Sequence, residues 1–246
     1  MTATRPGQAP GGTRRAATLY AIPGSHAVRA GALMLEHKGI DYRRVDYPPG
    51  PHRVLVRVRG FPGDRVPAVV FDDGRRAQGT RELPRVLDEL VPERRLVPED
   101  PRGLEAERWA DDVLQQWARR MVASTGARSP DALAGQGADG RLGRLLTRRP
   151  RARQLVSRAV LVAFRVTEEQ LEDDRRRTGE LLDQVDAWIA EGVLNGGELR
   201  SPDFTIASSL ALAEYVLELR PEIQRRPLGA LLDRVFSRSA AARGPG

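Results

Sequence analysis

The chain has no cysteine, which removes disulfides, thiolate metal ligands and a cysteine nucleophile from its chemistry. Its three histidines, His26, His37 and His52, crowd toward the amino end and make no metal-ligand spacing with an acid. The glycines of Gly135 to Gly140 (GQGADG) follow no strand and precede no P-loop lysine, so they read as a flexible loop. A net charge of +7 and a pI near 10.7 invite a nucleic-acid partner. The pattern of charge argues against it: Lys38 is the only lysine, and the arginines are spread among 33 acids instead of gathered in one stripe. The densest basic stretch, Arg141 to Arg158, reads as a solvated helix face. Two features remain. Ser25 follows Pro23-Gly24 and precedes an apolar helical stretch, where its hydroxyl is placed as an N-cap. Val66-Pro67 opens a strand-like run.

The elements that would position them follow from periodicity. Ala17 to Ile22 is a short buried strand, and Ala27 to Lys38 is a helix stopped by Gly39. Asp41 to Tyr47 alternates as a second strand ending at Pro48-Pro49. His52 to Arg59 is ambiguous, because Val54, Val56 and Val58 alternate in a connection that would carry a parallel crossover; it reads as a weak helix or irregular segment. Val66 to Phe71 and Arg75 to Gln78 form a hairpin about Asp72-Asp73-Gly74, followed by a helix from Thr80 to Leu90 with Leu83, Val86, Leu87 and Leu90 on one face. This βαβ-α-ββα order is thioredoxin-like. A proline-rich linker over 92–103 leads to helices only: Leu104 to Val122, Arg151 to Arg165, Glu168 to Ile189, Thr205 to Leu219 and Leu228 to Phe236. Ser124 to Gly140 reads as a loop. The domains expected are 17–91 and 104–238, with disordered tails over 1–16 and 239–246.

Three blocks, LYAIPGSHAVRAGALMLEHKGIDY (Leu19 to Tyr42), GDRVPAVVFDDG (Gly63 to Gly74) and SPDFTIASSLALAEYV (Ser201 to Val216), resemble the glutathione transferase superfamily in order and spacing. The resemblance implies a thioredoxin-like α/β domain followed by an all-α helical bundle, with a cis peptide bond at Val66-Pro67. It implies that the Val66 backbone pairs with the peptide of a bound thiol. It places Ser25 where a hydroxyl and the helix dipole favour thiolate over thiol, although an N-cap serine needs no ligand to explain it. Tyr20 and His26 are further catalytic candidates, with core packing preferred for Tyr20 and a surface position for His26. Thr205-Ile-Ala-Ser208 resembles the family's capping box at the start of a central helix.

The resemblance departs at Gly79-Thr80, where the family has Glu/Gln-Ser to hold the γ-glutamyl group of glutathione. Thr80 could cap the helix and meet a carboxylate, but Gly79 cannot supply the acid; Glu82 or a residue from a partner subunit could. Arg65 could meet a carboxylate of the ligand. Trp109, Trp117, Tyr215 and Phe164 are candidates for the wall of an electrophile pocket, with core packing preferred for each. The resemblance thus implies a cytoplasmic, metal-free homodimer that uses glutathione, or another small thiol, against hydrophobic electrophiles between the domains. A binding or regulatory protein that kept the fold without the reaction is the alternative; an arginine-rich nucleic-acid binder stands behind both. No apolar run reaches the length of a membrane span.

Overall fold

Alternation of Ala17, Leu19 and Ala21 with Thr18 and Tyr20 gives the first strand, β1 (Ala16–Ala21), two different faces. The computed structural model describes residues 16–136 and 140–243. In it β1 lies inside a four-stranded sheet with β2 (Asp41–Asp46), β3 (Ala68–Phe71) and β4 (Arg76–Gln78), in the order β2-β1-β3-β4. β1 runs parallel to β2 and antiparallel to β3, with Leu19 paired to Arg44 on one side and Val69 on the other. The β3–β4 hairpin turns at Gly74, whose φ of +85° is open to glycine.

Helices α1 (His26–His37) and α3 (Gly79–Leu90) share the core of the Leu19 face, where Val28, Met34, Leu83 and Leu87 join Leu19, Val69 and Phe71. Tyr20 belongs instead to a separate cluster with Val56, Phe61 and Ala68, roofed by α2 (His52–Val58). The ambiguous valines therefore lie on a helix. Only Val56 turns inward, and Val54 and Val58 stand 64% and 76% exposed. Two layers of helix about a mixed sheet are the thioredoxin-like arrangement.

The remaining chain is helical: α4 (Pro101–Trp109), a π-helical turn (Ala110–Leu114), α5 (Gln115–Arg128), a 3-10 turn (Pro130–Leu133), α6 (Gly140–Thr147), α7 (Pro150–Ala163), α8 (Glu168–Arg176), α9 (Thr178–Ala190), α10 (Ser201–Ala213), α11 (Arg220–Arg225) and α12 (Pro227–Arg243). Several boundaries differ from expectation. The segment expected to loop out from Ser124 begins as the end of α5, because Ser124 and Gly126 are buried in the packing of α5 and α7; 137–139 lie outside the described residues. The helix expected from Glu168 to Ile189 breaks at Arg177, before Thr178-Gly179, two poor helix formers. α12 reaches Arg243, beyond the expected fraying at Ser239, through three alanines that favour helix. Of the expected amino-terminal tail, 1–16, residues 1–15 lie outside the described residues, while Ala16 is already in β1.

The largest correction concerns Thr205. It is not a cap: α10 begins at Ser201, and Asp203 accepts hydrogen bonds from the Arg200 and Asn195 backbone N–H groups, both at 2.7 Å. Thr205 lies a turn inside and donates to the Ser201 carbonyl (3.1 Å). Burial pushes the Asp203 carboxyl up to about 6 in spite of those two bonds and the nearby Arg234 and Arg200.

Between the sheet and the bundle, the only lysine is buried. Lys38 Nζ meets Asp88 Oδ1 at 2.6 Å and donates to the Val91 and Glu93 carbonyls, while the Asp88 carboxylate accepts from the Leu96 and Val97 N–H groups. The linker is pinned where it leaves α3. A second tie joins α3, α4 and α10, with Arg85 and Ser201 both donating to the buried Glu107 carboxylate.

Candidate functional site

The Val66-Pro67 bond is cis. Pro67 is lodged between two helices: its carbonyl accepts from the Gly79 N–H (2.8 Å), and its ring lies so close to α1 that a Cβ on Gly31 would come within 2.9 Å of Pro67 Cγ and 3.2 Å of Leu83 Cδ2. The loop in front is held by Gln78, whose Oε1 accepts from the Gly63 N–H and whose Nε2 donates to the Arg65 carbonyl, each at 2.9 Å. Among the described residues, neither the N–H nor the C=O of Val66 pairs with another backbone group. A rigid loop thus presents one peptide unit with its hydrogen-bonding capacity in reserve.

That close approach gives a direct test. Gly31→Ala forces a methyl against Pro67 and is expected to cost about 1–3 kcal/mol by overpacking. Thermal melting with and without the candidate thiol checks it: a variant as stable as the parent would show that the loop yields.

Ser25 is the N-cap of α1, its Oγ accepting from the Val28 N–H at 3.3 Å. This bond uses only a lone pair, so the hydroxyl proton is still available to donate. His26, expected at the surface, is instead buried at 6% exposure, with Nε2 lacking a hydrogen-bond partner. Burial first, and Arg119 second, lower its pKa to about 3. It is neutral near pH 7 and can serve as a donor, not as a cation. Tyr20 packs under α2, stacked on Tyr47 at 5.5 Å and edge-on to Phe61 at 6.2 Å, in a cluster separate from the α1 core.

At the start of α3, Gly79 has φ of +84°, a backbone conformation that an acidic residue would adopt only with strain. Thr80 is not the cap; Gln78 holds that position, its N–H donating to Glu82 Oε2. That bond occupies Glu82 as part of the helix start. The Thr80 hydroxyl, expected to meet a ligand carboxylate, donates across the domain boundary to Asp111 Oδ1 at 2.7 Å, and Gln115 Nε2 donates to both Thr80 Oγ1 (3.1 Å) and Asp111 Oδ1 (2.6 Å). Asp111 sits on the π-helical turn, a distortion that recurs at functional sites. A carboxylate thus does stand beside the amino end of α3, delivered by the helical domain of the same chain.

The opposite wall comes from α5 and its neighbours. Arg119 is half-buried, its guanidinium 4.5 Å from the Phe164 ring centroid and bonded to Gln116 Oε1 at 2.7 Å. Gln136 reaches across to the Gly24 carbonyl at 3.0 Å. Of the four aromatic candidates, Phe164 stands 45% exposed beside Arg119, whereas Trp117 is buried and bonded to Thr178, Trp109 packs edge-on against Trp188, and Tyr215 joins the core. Sequence reasoning missed Gln78, Asp111, Gln115 and Arg119. Only the polar, non-periodic Asp111-Asp112 in an otherwise helical stretch hinted at them.

The arginine-rich stretch is partly structural: Arg153 is buried and bonded to the Pro130 and Thr147 carbonyls and to Asp131. Among the described residues no group of histidines and acids could hold a metal ion, and no helix is long and apolar enough to cross a membrane. A depression of about 670 Å³ lies elsewhere, among α5, α9 and the turn before α11, lined by Met121, Arg128, Arg175 and Glu222. Ser25, Val66, Thr80, Asp111 and Arg119 do not line it.

Residues 19–95 match the model of the glutathione S-transferase N-terminal domain. Among curated proteins none matches the chain. Solved structures share the whole architecture at low identity. A glutathione transferase from Phanerochaete chrysosporium aligns with a TM-score of 0.64 at 14% identity, over 91% of this chain and 98% of that one. A glutathione S-transferase of Ceriporiopsis subvermispora in complex with glutathione gives 0.61 at 14%, over 94% and 98%. One from Methylobacterium radiotolerans, in complex with glutathione sulfonate, gives 0.55 at 19%, over 92% and 94%.

Proposed function

We propose that this chain, whose residues 19–95 match the glutathione S-transferase N-terminal domain, is a glutathione transferase-like protein that binds a small thiol, glutathione or a close substitute, and directs its sulfur at electrophiles in the interdomain cleft. The observation that carries this reading is the unpaired Val66 peptide unit, held by Gln78 and Pro67 between α1 and the amino end of α3. A γ-glutamyl or other peptide-like thiol can pair there through its own backbone, as a strand adds to an edge. Its sulfur then falls to Ser25, whose donated hydrogen bond and helix dipole favour the thiolate. The thiolate is the nucleophile, so the protein contributes position and electrostatics. Asp111 supports glutathione in particular, being an acid near Thr80 for an ammonium group where Gly79 offers none. A homodimer in the cytoplasm is part of the same proposal, to be checked by sedimentation.

Calorimetric titration with glutathione, followed by turnover of a chloronitrobenzene, tests the reading: saturable binding and thiol-dependent product are expected. Ser25→Ala should lower kcat and also cost about 1 kcal/mol of stability as a lost cap. Turnover undiminished in that variant would remove Ser25 from the mechanism. A non-catalytic binding protein is the second reading, favoured by the diversion of the Thr80 hydroxyl to Asp111; binding without turnover would establish it.

A further inference from the structure

Arg119 is a cation with no ion pair among the described residues. Among the described residues no carboxylate lies within ion-pair distance of its guanidinium, which packs on Phe164 and bonds only to the neutral Gln116. The charges that face it do not cancel. Arg120 is neutralised by Asp174 through two bonds, at 2.6 and 2.7 Å. Arg65, exposed at the front of the Val66 loop and also without an ion pair among the described residues, opposes Arg119, and Asp111, which attracts it, is already shared by Thr80 and Gln115. Two guanidinium groups thus face one engaged carboxylate. Desolvation lowers the Arg119 pKa to about 10, so the side chain is still charged at neutral pH. Its charge is also felt by His26, whose buried Nε2 has no hydrogen-bond partner among the described residues.

We propose that Arg119 receives a carboxylate carried by the electrophile, so that the cleft selects acidic electrophiles over neutral ones. This rests on the thiol-binding reading above, because that reading fixes which end of the cleft the electrophile occupies. The sulfur lies at Ser25; His26, the next residue, feels the Arg119 charge, and Gln136 ties the segment after α5 to the Gly24 carbonyl at 3.0 Å. The thiol's own carboxylates, by contrast, lie toward Arg65 and the start of α3. A guanidinium is suited to a carboxylate because its donors match both oxygens, and partial burial strengthens the pairing. Phe164 supplies the apolar face for the body of the same molecule.

The test compares chlorodinitrobenzoate with the matching chlorodinitrobenzamide, using glutathione as the thiol. In either case the thiolate sulfur bonds to the chlorine-bearing ring carbon, the C–Cl bond breaks, chloride leaves with the electron pair, and the thiol proton passes to solvent. The parent protein is expected to favour the benzoate by about tenfold or more in kcat/KM, the range of a charge-assisted hydrogen bond. Arg119→Gln should bring that ratio close to unity, and Arg119→Lys should restore part of it. A ratio near unity in the parent protein would overturn the proposal. So would equal losses for both compounds in Arg119→Gln, or a raised KM for glutathione with the ratio intact, which would assign the arginine to the thiol's own carboxylate. Calorimetric titration of each compound without thiol separates this from the parent reading. Preferential benzoate binding that Arg119→Gln abolishes supports the anion site even where no turnover occurs, and absence of benzoate binding counts against it.

Discussion

Asp88→Ala is expected to be among the most damaging single substitutions in this chain, costing about 3–5 kcal/mol out of a total of about 5–15. The reason lies in the partners it leaves behind. The Lys38 side chain is fully buried and Asp88 only 14% exposed, so removing the carboxylate strands a cation with two carbonyls for company. It also strips the acceptor from the Leu96 and Val97 N–H groups. Lys38→Met should be milder, because the remaining carboxylate keeps those two donors and its edge reaches water. The double variant should fall well short of the sum of the two, since the second change removes the stranded charge. Chemical denaturation of the three variants measures this order. Additive losses would mean that the pair is not the knot between α3 and the linker that its geometry describes.

Replacing His26 with leucine should flatten the acid limb of the stability profile. Burial, then Arg119, hold the folded pKa at about 3 against the ordinary 6.5. Above the unfolded value both states are neutral and the folded protein keeps its full stability. As the pH falls toward the folded value the unfolded chain takes the proton first, and stability is lost by up to about 1.4 kcal/mol per pH unit. Between about pH 7 and 4.5 the parent should therefore lose about 2–3 kcal/mol more than His26→Leu. Asp203, raised to about 6, works in the opposite sense: it favours the fold as the pH falls from 6 toward 3.8. It is present in both proteins and drops out of the difference. Parallel curves for the two proteins would show that His26 is not held neutral.

Much of the amino-terminal domain was legible because its signals are local. Gly39 and Gly74 adopt the positive φ values that stop α1 and turn the hairpin, and the alternation through β1 gives its faces. The α2 segment was harder, since alternating valines cannot tell a strand from a helix whose outer face is apolar. α10 was misplaced by one turn for a readable reason: Ser201-Pro202-Asp203 has the proline and the acid of a helix start, but the apolar Thr205 block drew the boundary inward. The site itself was half legible. Ser25 and Val66-Pro67 announce themselves within a few residues of chain. The Thr80 to Asp111 contact spans 31 residues, and Arg119 meets Phe164 from a separate stretch of chain, so no local pattern encodes them.

Every residue of α10 is buried, and the helix packs against α1, α3, α4, α5 and α12. For a chain made from its amino end, this has a temporal meaning. α1 is complete as sequence long before the wall it needs has been synthesised, and until residue 213 has emerged its α10-facing surface must wait in water or on a chaperone. The thioredoxin-like layers and the bundle thus mature as one cooperative unit, and a fragment ending at Leu90 would carry an apolar wound where α10 belongs. The amino-terminal domain, written first in the sequence, would be finished last.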